Sequence, residues 1–184
     1  MFSNISFSLV ERAFGHFDNR CNQVNNLTLT KLLELVQFLF NSTYFQYKDK
    51  FYTQIKGSAI GNPASPIIAE ICMEYIIENA INMLEFEPSF LYIFVDDIIM
   101  AAPIEKVDNV LMAFNSMDEY LDFTTEIEQQ GCISYLDVSL LHDGRKIITK
   151  WFNKPIAPPS ILNFKSAHPP TQKIGTLVSL KKTE

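Results

Sequence analysis

The sequence contains few of the residues that build zinc centres, disulfide frameworks or membrane spans. Its cysteines, Cys21, Cys72 and Cys132, form no Cys-x-x-Cys pair, so neither a zinc site nor a redox motif is indicated. Their odd number, together with an N-terminus that lacks a basic segment followed by an apolar run, favours a reducing, intracellular setting. No uninterrupted apolar stretch is long enough to cross a bilayer, so we expect no membrane partner.

Positive charge is also scarce overall. The chain has 15 basic and 21 acidic residues and a formal net charge of -6, which does not by itself indicate nucleic-acid binding. The distribution is more informative, because residues 145–184 contain eight basic residues and one acidic residue. Such asymmetry can mark a surface that faces a polyanion, and a basic tail in solvent is the alternative interpretation.

Apolar sequence, in contrast, is abundant: 47% of the 184 residues are hydrophobic, enough for the core of one domain of ordinary size. Apolar periodicity predicts helices over residues 7–17, 28–41, 67–84, 103–118 and 174–182. Strands are predicted over residues 44–47, 51–55, 90–95, 98–102, 123–128, 133–141 and 146–152. Because these elements do not alternate regularly as β-α-β units, the predicted fold class is α+β.

Two adjacent carboxylates, Asp96 and Asp97, stand between the apolar runs 90–95 and 98–102, which predict buried strands. A plain hairpin turn is one interpretation, because aspartate tolerates the unusual backbone angles of tight turns. A metal site is the other, because two carboxylates held on a rigid hairpin offer the hard oxygen ligands that Mg²⁺ prefers. Such a pair suits two-metal phosphoryl transfer.

A loop of small residues precedes this pair and supplies a second motif. Residues 57–66 have the sequence Gly-Ser-Ala-Ile-Gly-Asn-Pro-Ala-Ser-Pro and lead into the predicted helix that follows. This loop and helix, followed by Phe-Val-Asp-Asp at residues 94–97, are similar to the palm of reverse transcriptases, whose metal-binding hairpin is usually Tyr-x-Asp-Asp. Five further segments resemble the Penelope-like retroelement branch of that family: Phe-Ser-Asn-Ile at 2–5, Phe-Thr-Thr-Glu at 123–126, Tyr-Leu-Asp-Val at 135–138, Asn-Lys-Pro at 153–155 and Ser-Ala-His-Pro at 166–169.

The resemblance implies a polymerase palm over residues 1–141, with a small antiparallel sheet packed on helices. Residues 142–184 would then be a basic palm-to-thumb connection and the start of a thumb. The implied activity is that of an RNA-directed DNA polymerase, a nucleotidyltransferase that adds deoxynucleotides to a DNA primer on an RNA template. Asp96 and Asp97 would be its catalytic residues, as ligands of Mg²⁺ or of Mn²⁺ in its place.

The resemblance also assigns binding residues. Phe2 falls where the family places an aromatic ring under the sugar, which selects deoxynucleotides. The residues that would shape the nucleotide and template side are Gln54, Gly57, Gly61, Ser65 and Pro66. Those that would contact nucleic-acid phosphates are Lys146, Lys150, Lys154 and Lys165.

The chain departs from the family pattern at several points. The family's first metal-binding Asp would lie five positions before Phe2, ahead of Met1, and the fingers and most of the thumb have no counterpart. Phe94 replaces the usual tyrosine of the hairpin. We therefore expect the chain to be inactive alone. Two further hypotheses stay open: a non-catalytic remnant or co-opted domain that binds nucleic acid or a partner through its basic C-terminal part, and a reading frame that starts further upstream.

Other polar residues have simpler interpretations. Asp137 is expected to be a structural carboxylate at a strand end, and the histidines have no partners at metal-ligand spacing. Glu70, Glu74 and Glu78 recur every four residues, which predicts one solvated helix face. Cys72 stands in an apolar run and is expected to be a small core residue.

Overall fold

The computed structural model describes residues 1–18, 27–144, 146–152 and 165–181, and these form an α+β structure, as the sequence predicts. The α-helices of the described residues are α1 (Phe7–His16), α2 (Leu29–Asn41), α3 (Ser65–Asn82), α4 (Val107–Asn115) and α5 (Pro170–Lys181). The strands are β1 (Tyr44–Tyr47), β2 (Lys50–Thr53), β3 (Leu91–Phe94), β4 (Asp97–Met100), β5 (Cys132–Tyr135), β6 (Val138–His142) and β7 (Ile147–Trp151). Two short 3-10 helices, Phe2–Asn4 and Ile104–Lys106, precede α1 and α4.

The chain divides into two compact units, Met1–Ile127 and Glu128–Glu184. The first contains α1 to α4 and two separate antiparallel hairpins, β1-β2 and β3-β4. The second contains α5 and the antiparallel sheet β5-β6-β7, whose strands follow chain order. Every described strand pair therefore joins neighbours in the sequence. Among the described residues, no helix combines the length and the apolar character needed to span a bilayer.

The core of the first unit lies where α3 packs against α1 and α4. Leu9 and Val10 on α1 and Ile76 on α3 are fully buried, and burying a side chain of this size contributes about 1.5–3 kcal/mol. Ser6 caps α1, because its side-chain oxygen accepts a hydrogen bond from Leu9 N at 3.1 Å. The unit is thus assembled around α3, with α1 and α4 as its main partners.

Several helix boundaries follow the sequence pattern. Thr28 caps α2, because its Oγ1 accepts a hydrogen bond from Lys31 N at 3.4 Å, and the helix ends at Asn41 as predicted. α3 begins slightly earlier than predicted, at Ser65, with Pro66 in its first turn, where no amide donor is needed. The three glutamates on α3 are exposed, which confirms the predicted solvated face.

The strand predicted over residues 123–128 is wrong, because residues 121–128 form no strand. The Asn115 side chain holds the backbone groups that a strand ladder would use. Its Oδ1 accepts a hydrogen bond from Phe123 N at 2.6 Å, and its Nδ2 donates to the Phe123 carbonyl oxygen at 3.1 Å. The apolar alternation at this point therefore belongs to a segment that is anchored by a side-chain amide instead of a neighbouring strand.

The single strand predicted over residues 133–141 is also wrong, because a tight turn at Leu136 and Asp137 divides it. Tyr135 pairs with Val138, and Leu136 has a φ of 56°, so β5 and β6 are the arms of a hairpin. Across a two-residue turn, residues i and i+3 share a face, so the apolar alternation shifts by one residue, from Ile133 and Tyr135 on β5 to Val138 and Leu140 on β6. β7 returns along β6, as predicted for residues 146–152.

Two predicted helices are present with different bounds. The helix predicted over 103–118 is shorter, since α4 covers only Val107–Asn115 and a 3-10 turn precedes it. The helix predicted over 174–182 begins earlier, at Pro170, where the fixed φ of proline suits a first helical position.

Cys72 confirms its prediction as a small core residue, and its burial has a chemical consequence. Its side chain is 1% exposed on α3, and burial raises the pKa of the Cys72 thiol to about 12, with a further rise from the charge of Asp118. Because the thiolate is the reactive form, iodoacetamide at pH 8 is expected to leave Cys72 unmodified in the folded protein and to modify it in guanidinium. Peptide mass spectrometry measures the modification, with half-buried Cys132 as the comparison. Equal labelling rates at the two cysteines in the folded protein would contradict this expectation.

Candidate functional site

The Asp96-Asp97 pair lies on a two-residue hairpin. Phe94 pairs with Asp97, so Val95 and Asp96 form the turn and Asp97 is the first residue of β4. Val95 has a φ of 58°, in the left-handed region that β-branched residues avoid. Such a conformation costs about 1–3 kcal/mol, and strain of this kind is often found where a site demands a particular backbone path.

The prediction that both strands of this hairpin are buried is wrong. Tyr92 is 66% exposed and Phe94 is 57% exposed, whereas Ile99 on the opposite strand is buried. Among the described residues no third strand pairs with β3 or β4, so the ribbon has two open edges. Leu91 and Ile98, one on each strand, pack against the core and anchor the hairpin. The tip that carries the carboxylates therefore extends into solvent.

The first residues of the chain lie beside this tip. The Met1 amino nitrogen is 3.8 Å from Asp96 Oδ2, and the Asp96 side chain is 53% exposed. Phe2 follows in a 3-10 turn and packs partly buried against the core. The aromatic residue and the carboxylate that the resemblance assigns to one site are thus near each other.

The loop of residues 57–66 meets the same N-terminal segment. Ser58 N donates a hydrogen bond to the Phe2 carbonyl oxygen at 2.9 Å. Gly57 has a φ of 78°, and a Cβ built on it would stand 2.2 Å from the Ser3 carbonyl oxygen. Only glycine accommodates both this backbone conformation and this close approach. Residues 1–3 therefore touch the loop on one side and the Asp96 hairpin on the other.

Two buried hydroxyls fix the loop to the start of α3. Ser65 Oγ donates to the Ala59 carbonyl oxygen at 2.6 Å, and Ser58 Oγ lies 2.6 Å from Ser65 Oγ. Because the Ser65 hydroxyl has one proton and Ala59 receives it, Ser58 is the donor to Ser65. Both side chains are at most 3% exposed, so the structure places Ser65 inside the loop.

The other residues that the resemblance assigns to the nucleotide and template side lie nearer the surface. Gln54 Nε2 donates to the Lys56 carbonyl oxygen at 2.7 Å, which closes a small turn after β2. Gly61 has a φ of 95° and open space where a Cβ would stand, and it is exposed, as is Pro66. Around Gly61 the loop is therefore open to solvent.

The lysines assigned to phosphate contacts belong to the second unit. Lys146 is the last residue of the turn between β6 and β7, where its backbone N donates to Asp143 Oδ1 at 3.0 Å. Lys150 lies on β7 opposite Ser139. Lys146, Lys150 and Lys165 are exposed. Lys154 lies outside the described residues.

The donor set at the hairpin fits Mg²⁺. Within the described ranges, no three His, Cys, Asp or Glu side chains form a group that could hold a metal ion. Mg²⁺ is nevertheless often held by one or two carboxylates, with water and substrate phosphates as its other ligands. Asp96 and Asp97, adjacent and solvent-facing, meet that smaller requirement.

Sequence reasoning missed two features of the first unit. The Arg12 guanidinium forms an ion pair with the Asp118 carboxylate, whose side chain is only 2% exposed. No periodic pattern connects residues so far apart, so nothing in the sequence indicated this pair. The second feature is the exposure of the aromatic hairpin β1-β2, in which every residue is solvent-facing. Aromatic residues at both odd and even strand positions were the available indication, because they supply two apolar faces to a lone hairpin.

No family model, curated protein or solved structure matches this chain. The case for a function therefore rests on the residues themselves and on the contacts that bring them together.

Proposed function

We propose that this chain is a reverse transcriptase palm of the Penelope-like branch, an RNA-directed DNA polymerase domain that acts on deoxynucleotides, a DNA primer and an RNA template. The observation that carries the proposal is the position of residues 1–3, in contact with both the Gly57-Ser58 loop and the Asp96 hairpin. The resemblance assigns these segments to one nucleotide site on sequence motifs alone. Their contact in space is an independent reason to group them.

The metal chemistry would be centred on Asp96 and Asp97. A bound Mg²⁺ or Mn²⁺ supplies positive charge at nucleotide phosphates and lowers the pKa of an attacking hydroxyl. The carboxylates would hold the ion on the exposed tip, and the strained Val95 turn sets the direction in which they face. Gly57 lets the Phe2 segment approach closely, and the Ser58–Ser65 hydrogen bond keeps the loop in that position.

Mn²⁺ binding tests the metal site directly, with electron paramagnetic resonance as the readout and a deoxynucleotide present. Asp96→Asn is expected to weaken binding about tenfold or more, because it removes a charged ligand. Asp137→Asn is the matched control, since Asp137 follows Leu136 in a two-residue turn just as Asp96 follows Val95, with φ values of 56° and 58°. Equal Mn²⁺ affinity in the wild type and both variants would leave Asp96 as a plain turn residue and contradict the proposal.

Primer extension on an RNA template provides the second readout. Synthesis that depends on Asp96 would support polymerase activity and contradict the expectation that the chain is inactive alone. The alternative function, non-catalytic nucleic-acid binding through the basic C-terminal part, is favoured by the exposure of Lys146 and Lys150. Salt-dependent binding of an RNA–DNA duplex, with no extension and with Mn²⁺ binding insensitive to Asp96, would support that alternative.

A further inference from the structure

The β1-β2 hairpin exposes five aromatic rings that none of the contacts described above uses. Their exposed fractions are 74% for Tyr44, 55% for Phe45, 58% for Tyr47, 69% for Phe51 and 43% for Tyr52. Every residue of both strands is exposed, so no other described element covers either face. Folded domains seldom leave contiguous apolar surface uncovered unless it binds something.

The strand register sorts these rings onto two faces, because residues directly opposite in an antiparallel pair share a face. One face, here called the aromatic face, carries Phe45, Tyr47, Lys50 and Tyr52. The rings of Phe45 and Tyr52 are stacked, with centroids 5.5 Å apart and an interplanar angle of 17°. The opposite face carries Tyr44 and Phe51 beside two uncharged polar residues.

Positive charge is concentrated at the same face. Lys50 lies opposite Tyr47, and Lys48 Nζ lies 5.3 Å from the centroid of the Tyr47 ring. Residues 44–56 contain three lysines and one aspartate, so this segment is positive in a chain whose net charge is -6. Two copies docked through this same face would bring like charges together, whereas a polyanion would be attracted.

The turn makes this surface a preformed one. Lys48 and Asp49 both have positive φ, 46° and 62°, as a tight two-residue turn of this hand requires. Such a turn matches the natural twist of the two strands and fixes their register. The rings and ammonium groups are therefore held in place before any ligand arrives.

We propose that the aromatic face binds single-stranded nucleic acid, with bases stacked on Phe45, Tyr47 and Tyr52 and phosphates paired with Lys48 and Lys50. Aromatic rings on exposed strands, with lysines among them, match both parts of such a strand: its flat bases and its charged backbone. Stacking engages the base faces, which RNA and DNA share, so oligouridine and oligothymidine bind alike. The inference goes beyond the proposed polymerase activity and depends on neither Asp96 nor Asp97.

Fluorescence anisotropy of the full chain with labelled oligouridine and oligothymidine, each about 12 nucleotides long, tests the proposal. Phe45→Ala and Tyr52→Ala are each expected to weaken binding by about fivefold or more, because each removes a stacking surface. Tyr52→Phe retains the ring and binds like the wild type. Tyr44→Ala, which removes a more exposed aromatic ring on the opposite face, is the matched control and also binds like the wild type.

Salt dependence separates the phosphate contacts from the stacking. The double variant Lys48→Gln/Lys50→Gln is expected to lower the slope of log affinity against log salt by about 1.4, since each phosphate contact on a single strand contributes about 0.7. Thermal melts of every variant check that the fold is retained. Normal binding by Tyr52→Phe beside weak binding by a folded Tyr52→Ala would assign the loss to the missing ring and not to a folding defect.

Three results would overturn the proposal. One is wild-type affinity in both Phe45→Ala and Tyr52→Ala. Another is an equal loss of affinity in Tyr44→Ala. The third is that the face serves a different partner: concentration-dependent self-association or binding to anionic vesicles that the two alanine variants abolish, with no binding to either oligonucleotide. Asp96→Asn is expected to bind both oligonucleotides normally. A negative result for the aromatic face would therefore not count against the metal site, and a negative result for the metal site would not count against the aromatic face.

Discussion

Gly57→Ala is expected to destabilise the first unit by about 3 kcal/mol or more, because among the glycines of the chain an added Cβ meets its closest contacts here. Its Cβ would stand 2.2, 2.4 and 2.6 Å from the carbonyl oxygen, carbonyl carbon and Cα of Ser3. These are backbone atoms that cannot turn away as a side chain would. The φ of 78° adds the strain of a left-handed conformation at a residue with a side chain.

Denaturant unfolding measures this effect, and two other glycines provide controls. Gly61→Ala carries the strain of a φ of 95° but meets open space, so we expect a loss of about 1–2 kcal/mol. Gly15→Ala in α1 has neither a positive φ nor a neighbour within 4 Å, so we expect a gain of about 0.5–1 kcal/mol. If Gly57→Ala and Gly61→Ala cost the same, the close approach to Ser3 does not contribute.

Gly57→Ala is also expected to disturb the contacts of residues 1–3 with the loop and with Asp96. A displaced Ser3 would break the hydrogen bond from Ser58 N to the Phe2 carbonyl oxygen and draw residues 1–3 away from Asp96. Amide hydrogen exchange at Ser58 should therefore become faster in Gly57→Ala and stay unchanged in Gly15→Ala. Slow exchange at Ser58 in both variants would show that the loop tolerates the added methyl group.

Arg12→Met is expected to cost about 3 kcal/mol, more than the loss of its partner, Asp118→Ala, at about 1–2 kcal/mol. The difference comes from burial, because the Asp118 side chain is 2% exposed and the Arg12 side chain is 43% exposed. Without Arg12, a charged carboxylate stays buried, with the amide of Tyr120 still donating to its Oδ1 at 3.0 Å. Without Asp118, the guanidinium reaches water and still donates to the Met117 carbonyl oxygen at 2.8 Å.

The double variant Arg12→Met/Asp118→Ala completes a mutant cycle for this ion pair. It should be more stable than the sum of the two single changes predicts, because removing both partners leaves no buried charge. Arg12→Lys is a further control, since it keeps the positive charge but has one nitrogen in place of the two that donate separately to the Met117 carbonyl oxygen and to Asp118. A cost for Asp118→Ala that equals or exceeds that of Arg12→Met would contradict the assignment of the penalty to the buried carboxylate.

Prediction from the sequence succeeded where the determining interactions are local. Helix α2 has its cap at Thr28 and an apolar stripe of helical period, and both are visible in the sequence. The β1-β2 hairpin has aromatic strands around a short polar turn, and its turn needs only the residues that form it. The adjacency of Asp96 and Asp97 on a hairpin was predictable for the same reason.

Prediction failed where distant residues decide the outcome. Residues 123–128 alternate like a strand, but the Asn115 side chain takes the hydrogen bonds of Phe123. Tyr92 and Phe94 have the composition of a buried strand, but no described element covers them. The type of a side chain sets the free energy that its burial would contribute, but the packing of the rest of the chain decides whether it is buried.

By itself, the sequence determined the class of the fold, the positions of most helices and hairpins, and the identity of the carboxylates and small residues that suggest a nucleotide site. The tertiary structure alone decided that residues 1–3 lie between the Gly57-Ser58 loop and Asp96, that Arg12 neutralises Asp118, and that the aromatic face is open. The physical reason is the range of the interactions. Capping, turns and amphipathic periods act over a few residues and leave a pattern in the sequence. Contacts between distant segments depend on how the helices pack, and they leave none.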